Sequence, residues 1–531
     1  MRSDDGITPK RIQVAGSTRL NAVVSSVRQA LSSELDGLLQ SSGWPPPMSS
    51  SMSETSPTPA AWRPSSDVLP RVAALLDAVR IASSGAAPGR VDVPPSAWSL
   101  LRMAAPLCER LRFHFTSGGP ADRRDRPEWL FLHTLRMGVA YAPAAAACLP
   151  DPPPGTRQMA HTAALTLALA EEAAVVLRSH FLPAMNADAI GGREATRGAW
   201  LHLADEARDF DLKLALVVGD TAARIGGASR VLVEKAEWDR HWTRAELDAA
   251  LRQLDSAVDA SDAWHDADPQ DETAQAASSL AVLTPAHGMR PVCAVQALSV
   301  IQAACTRAAV LPHASQQRAF LREVPAAVAA DFLGRVQRRA KGAAAFGDPV
   351  APDSIVRTVS CICAAHVLQT GLEVVAEEPN VWELERQHAS RALATMEMQH
   401  EHKNGARSGV FSPEVTQAAE LKGEWRQALT QALVSQFMAD AAALLPSLAA
   451  HASGEACAAL APAVLSLGSR IRHIRNSLDD ALFADAWYVG RCCLACGRTC
   501  ADPMHACPGV MWCVVWAHAW LRLLTKMRAL R

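Results

Sequence analysis

RLRFHFTSGGPADRRDRPEWLFLHTLRMGVAY, residues Arg110–Tyr141, decides the fold class. Leu111, Phe113 and Phe115 close one apolar segment. Thr116–Arg126 is then a Gly/Pro/Asp/Arg loop, in which Gly118-Gly119-Pro120 cannot continue a helix. A second helix follows: Asp125 can cap it, Pro127 suits its first turn, and Glu128 suits the positive helix end. Trp129, Leu132, Leu135, Arg136 and Val139 recur at helical spacing, so the expected buried face begins with Trp129. On that reading Trp129→Ala should cost ~3–5 kcal/mol. The stretch is a buried helix–loop–helix.

Toward the N-terminus, residues 18–42 place Leu20, Val23, Val24, Val27, Leu31, Leu35, Leu38 and Leu39 at three- and four-residue steps, an amphipathic helix. Gly43 stops it and Trp44-Pro45-Pro46-Pro47 seals the end. Residues 45–66 are rich in Pro, Ser, Thr and Met and read as a linker. Further helices are expected over 67–83, 95–115, 129–141, His161–Phe181, Trp200–Val218 (Leu201, Ala204, Ala207, Phe210 and Leu214 inward) and Ser229–Ala260. The pattern continues over 294–310, 315–341, 353–376, 381–402, 412–447, 455–489 and 509–530. No strand alternation and no internal repeat is found, which argues against an armadillo-type solenoid. The expected fold is all-α, an elongated rod of stacked helical bundles. Its expected parts are a helix at 1–44, the linker at 45–66, bundles at 67–270 and 271–490, and a Cys/Trp-rich tail at 491–531.

The chain has 531 residues, 49% apolar and 20% charged, enough apolar surface for more than one core. A net charge of -2 provides no field for nucleic acid. The N-terminus is polar, unlike a secretory signal, and no run reaches the ~20 apolar residues needed to span a bilayer. The expected location is the cytosol or the cytosolic side of a membrane. Thirteen cysteines are present, and those at 108, 148, 293, 305, 361, 363 and 457 fall in alanine-rich helices as reduced, buried thiols.

Several constellations touch on chemistry without carrying it. Glu385-x-x-His388 and Glu397-x-x-His400 resemble half-motifs of di-iron bundles, but lie twelve residues apart on one helix. That is ~18 Å, too far to share a metal pair. Asp479-Asp480 lacks the third aspartate of a prenyl-diphosphate site, since position 483 is Phe. Cys492, Cys493, Cys496, Cys500, His505, Cys507 and Cys513 offer zinc ligands at a spacing that fits no standard finger. No phosphate loop and no G-x-S-x-G occurs. No cofactor and no metal site is expected, and the competing reading is an all-α metal- or diphosphate-dependent enzyme.

The run RLRFHF…RPEWLFLHTL resembles the signature of the RINT/Tip family of vesicle-tethering subunits. There an aromatic, basic "RFRYHF" segment precedes a loop and a "(R/K)PEW" helix start. The matching residues are Arg110, Arg112, Phe113, His114, Phe115, Arg126, Pro127, Glu128 and Trp129. The stretches 237–264, 315–339, 409–437 and 471–488 follow in the family's order, so the resemblance covers roughly 20–490. It implies a non-enzymatic subunit of the endoplasmic-reticulum tethering complex (Dsl/NRZ) in Golgi-to-ER retrograde transport. The implied partners are the other tether subunits and endoplasmic-reticulum SNARE proteins, and the implied place is the cytoplasmic face of that membrane. In the family a helix ending in a "GWP"-like turn closes a coiled-coil arm that pairs with the neighbouring subunit. Leu20, Val23, Val27, Leu31 and Leu38 are the corresponding pairing positions, and with so few turns the pairing is expected to be weak or absent. In the tail, Trp512, Trp516 and Trp520 lie four apart on one helical face beside Arg522, Lys526, Arg528 and Arg531. That composition suits a membrane interface, while packing of the tryptophans against the preceding bundle is the competing expectation.

Overall fold

The computed structural model describes residues 9–47, 62, 67–83, 98–146, 161–190, 195–219, 227–267, 288–309, 311–345, 348–397, 409–448, 461–478 and 482–484. The protein is all-α. Among the described residues there is no strand, only one isolated antiparallel bridge between Asp266 and Pro291. The chain divides into two compact units, Met1–Ala245 with Val310–His313, and Glu246–Ala309 with Ala314–Arg531.

The first unit holds α1 (Pro9–Ser41), α2 (Val68–Ser83), α3 (Trp98–Thr116), α4 (Pro127–Ala146), α5 (His161–Val176), α6 (Leu182–Ile190), α7 (Ala195–Val218) and the short α8 (Ser229–Leu232). One π-helical turn, Leu177–Phe181, joins α5 to α6. The core runs along α5, an alanine/leucine helix with nearly all sides buried, against which α3 and α4 pack. Gly138 lets α4 approach closely: a Cβ there would meet Thr166 Cβ at 2.9 Å and its Cα at 3.0 Å. On the other side Phe131 stacks on Phe210 of α7 with ring centroids 4.9 Å apart. In α7 it is Leu203, not Leu201, that is fully buried, beside Ala204, Ala207, Phe210 and Leu214. Asp211 accepts hydrogen bonds from the Ala228 and Ser229 amides (2.6 and 3.0 Å) and so seats α8. Burial pushes its carboxyl up to about 6, against the pull of those donors.

Where a single helix was expected from Ser229, the structure has two, α8 and α9 (Ala236–Asp259). Residues of α9 up to Ala245 belong to the first unit, with Trp238 and Trp242 buried; those from Glu246 belong to the second, with Leu254 and Ala257 buried.

The second unit continues with α10 (Val292–Ala308), α11 (Ala314–Glu323), α12 (Pro325–Ala345), α13 (Pro352–Glu377), α14 (Pro379–Glu397), α15 (Ser412–Leu448) and α16 (Ala461–Ser477). The expected helix at 315–341 is broken at Val324 because Pro325 cannot donate to a preceding turn and restarts the helix at its first position. α13 is buried over most of its length and is the hub, packed by α10, α12, α15 and α16. Contrary to the expectation from sequence, it is long and apolar enough to cross a membrane, yet most of it is buried inside its own unit. Cys293, Cys305 and Cys361 are buried free thiols whose pKa burial pushes up to about 12, so they are unreactive core residues.

Candidate functional site

The family-like stretch sits on α3, the following loop and α4, and its burial pattern reverses one expectation. Leu130, Phe131, Thr134, Met137, Tyr141, Ala142 and Ala145 point into the core. Trp129, Leu132 and Val139 are 37%, 43% and 54% exposed, and Arg136 is exposed between them. The face expected to be buried is therefore the outward one. α4 is apolar on two faces, so its spacing alone admits two orientations. The interior selects the face with Gly138, Ala142 and Ala145, because only small residues allow α5 to approach that closely.

Each signature residue has a definite place. Arg112 makes a two-pronged ion pair with Glu172 of α5 (2.7 and 2.9 Å), tying α3 to α5. Phe115 is buried, whereas Phe113 is 67% exposed. Pro127 is buried and opens α4, with Glu128 in its first turn and 3.2 Å from His202 Nε2. The guanidinium of Arg126 lies 5.4 Å from the Trp129 ring centroid. Asp125, expected as the cap, is instead held by Arg123 through two contacts (2.8 and 2.6 Å). The loop is organised by Asp122, which accepts from Gly118 N (3.0 Å) and contacts His180 (2.8 Å), with Gly118 at φ 74°.

The two ends of the stretch do something the sequence reading missed: they clasp the turn that follows α1. Tyr141 OH donates to Pro46 O at 2.7 Å. Arg110 donates to Tyr141 OH (3.0 Å), Pro45 O (3.1 Å) and Pro46 O (3.3 Å). Trp44 is buried after Gly43 (φ 75°), precedes a cis Pro45, and donates from Nε1 to Met103 O at 2.9 Å. Trp62 packs on Trp44, with centroids 4.9 Å apart, and donates to Ser42 O. The sequence carries the Trp-Pro-Pro-Pro run, Arg110 and Tyr141, but only the fold brings positions 95 residues apart together.

The pairing positions on α1 divide accordingly. Leu35 and Leu39 are buried, and Leu31 and Leu38 are half-buried toward the clasped end. Val23 and Val27 are 60% and 48% exposed, and Leu20 lies in the same helix. Trp512, Trp516 and Trp520, the cysteine cluster of the tail and Asp479-Asp480 lie outside the described residues.

His133 sits on α4 between rings of α3: His114 and Phe115 have centroids 5.7 and 6.0 Å away. Burial, aided by the positive charges of His114, Arg136 and Arg110, pushes its pKa down to about 4. The folded state therefore holds it neutral while the unfolded chain takes a proton below about 6.5. Its contribution to stability is intact above pH 6.5 and lost as the pH falls toward 4. Relative to His133→Gln, the wild type should lose on the order of 2 kcal/mol across that window. Urea titrations at pH 7 and pH 4.5 measure this, and an unchanged difference between the two proteins refutes it.

Among the described residues no three metal-ligating side chains converge. Glu385 of the first Glu-x-x-His pair accepts from Val410 N (2.9 Å) and faces Arg318 (3.7 Å), a structural use.

These features define a class: an α-helical scaffold whose distinctive chemistry lies in clasped turns and outward helix faces. The sequence profile of the RINT-1/TIP-1 family matches residues 98–488, about three quarters of the chain, and the protein belongs to that family. No individual curated protein matches the chain significantly. Membership implies a subunit of a membrane-trafficking tether, in a family known as non-enzymatic, which works with other proteins and associates with membranes peripherally.

Proposed function

We propose that this protein is a subunit of an endoplasmic-reticulum tethering complex of the Dsl/NRZ type, acting with SNARE proteins of that membrane in Golgi-to-ER retrograde transport. Membership of the RINT-1/TIP-1 family is the observation that carries this reading. The contact with the neighbouring tether subunit falls on the α1 edge bearing Leu20, Val23 and Val27. In its support, Val23 and Val27 are uncovered while the other end of their helix is held by the Trp44 clasp. A helix pinned at one end with an open apolar edge at the other suits coiled-coil pairing.

Affinity purification of the full chain followed by mass spectrometry should recover tether subunits and endoplasmic-reticulum SNARE proteins. Val23→Asp with Val27→Asp should lose the neighbouring tether subunit while leaving the melting curve unchanged, because both side chains are already in water. Recovery of neither class of protein refutes the assignment; retention by the variant refutes the contact. The tail tryptophans at 512, 516 and 520 are proposed to meet the membrane surface, and loss of liposome flotation on deleting residues 509–531 tests that.

A further inference from the structure

The geometry points to the outward face of α4 as the docking site for one acidic amphipathic helix of a partner protein. Trp129, Leu132, Arg136 and Val139 follow one another at three- and four-residue steps on the side of α4 away from α5. The line is ~15 Å long at 1.5 Å per residue, about three turns, and one helix wide. On α3, Phe113 is likewise exposed, and its neighbour His114 lies 5.7 Å from His133 of α4. An exposed apolar ridge one helix wide is the form that receives a helix laid alongside.

Charge selects the occupant. The stretch Arg110–Tyr141 carries six arginines against three carboxylates. Its acids are already engaged: Asp122 with His180, Asp125 with Arg123, Glu128 with His202. Among the described residues, Arg124, Arg126 and Arg136 make no salt bridge; Arg126 covers the Trp129 ring and its charge reaches Asp125, which Arg123 already holds. Arg136 stands in the middle of the apolar line, between Leu132 and Val139. A bilayer interior penalises a guanidinium there, whereas a partner carboxylate pairs with it through two charge-assisted hydrogen bonds. A partner helix with an apolar stripe flanked by glutamates fits both features. This face is separate from the α1 edge, so either can fail alone.

The test uses the full chain and a synthetic amphipathic peptide with leucines at helical spacing and glutamates elsewhere, beside a twin in which lysine replaces every glutamate. Fluorescence anisotropy should show the acidic peptide binding roughly tenfold or more tighter than its twin, and weakening with salt. Trp129→Ser with Leu132→Ser, and separately Arg136→Glu, should each weaken binding by roughly tenfold or more. The melting temperature should stay unchanged, which Arg136→Glu checks even if the double variant unfolds. Equal binding of the lysine twin, retained binding by Arg136→Glu, or no binding of the acidic peptide overturns the proposal. So does preferential capture of phosphatidylserine vesicles that the same variants abolish.

Discussion

Phe131→Ala will destabilise the first unit by about 3–5 kcal/mol, whereas Trp129→Ala, two residues earlier in the same helix, will cost less than about 1 kcal/mol. Phe131 is 3% exposed and stacked on Phe210, so truncation opens a cavity between α4 and α7 that neither backbone can close. Trp129 has water on one side and the Arg126 guanidinium near its ring, so its loss removes partial burial and one weak cation–π contact. Thermal melts monitored by circular dichroism will show a drop on the order of 10 °C for the first variant and little for the second. Equal drops would mean that both rings are core, returning α4 to the orientation its spacing first suggested.

Arg322→Met will cost the second unit about 2–4 kcal/mol. Glu414, in the first turn of α15, is 5% exposed and receives Arg322 Nη1 at 3.2 and 3.0 Å. The same nitrogen donates to Val410 O, whose own amide is held by Glu385 of α14. Removing the cation leaves a carboxylate with little water and a carbonyl short of a donor, the expensive half of a buried pair. Adding Glu414→Gln to Arg322→Met should recover most of the loss, since the stranded charge is then gone. Chemical denaturation of the two variants measures this. A single variant as stable as the wild type, or a double variant less stable than the single one, would show that packing rather than charge dominates at that corner.

Much of the fold is legible in particular residues. Gly118-Gly119-Pro120 ends α3, Pro127 opens α4 and Gly43 ends α1. These are local facts, set by φ restrictions, a missing donor and a missing Cβ. They fix the all-α class, most helix boundaries, and the family-like stretch that agrees with the RINT-1/TIP-1 match. They do not fix the partners of Asp125, where Arg123 took the carboxylate that a helix start could have used.

By itself, then, the sequence determined the all-α class, several helix starts and stops, and the family; it ran together α8 with α9 and α11 with α12. Only the tertiary structure decided which side of α4 faces the core, and that Arg110 and Tyr141 reach back to Pro45 and Pro46. The reason is the range of the forces. Propensity, capping and periodicity act over a few residues, but a helix apolar on two faces is oriented by the neighbour that packs closest. For α4 that neighbour is Thr166, met through the absent side chain of Gly138.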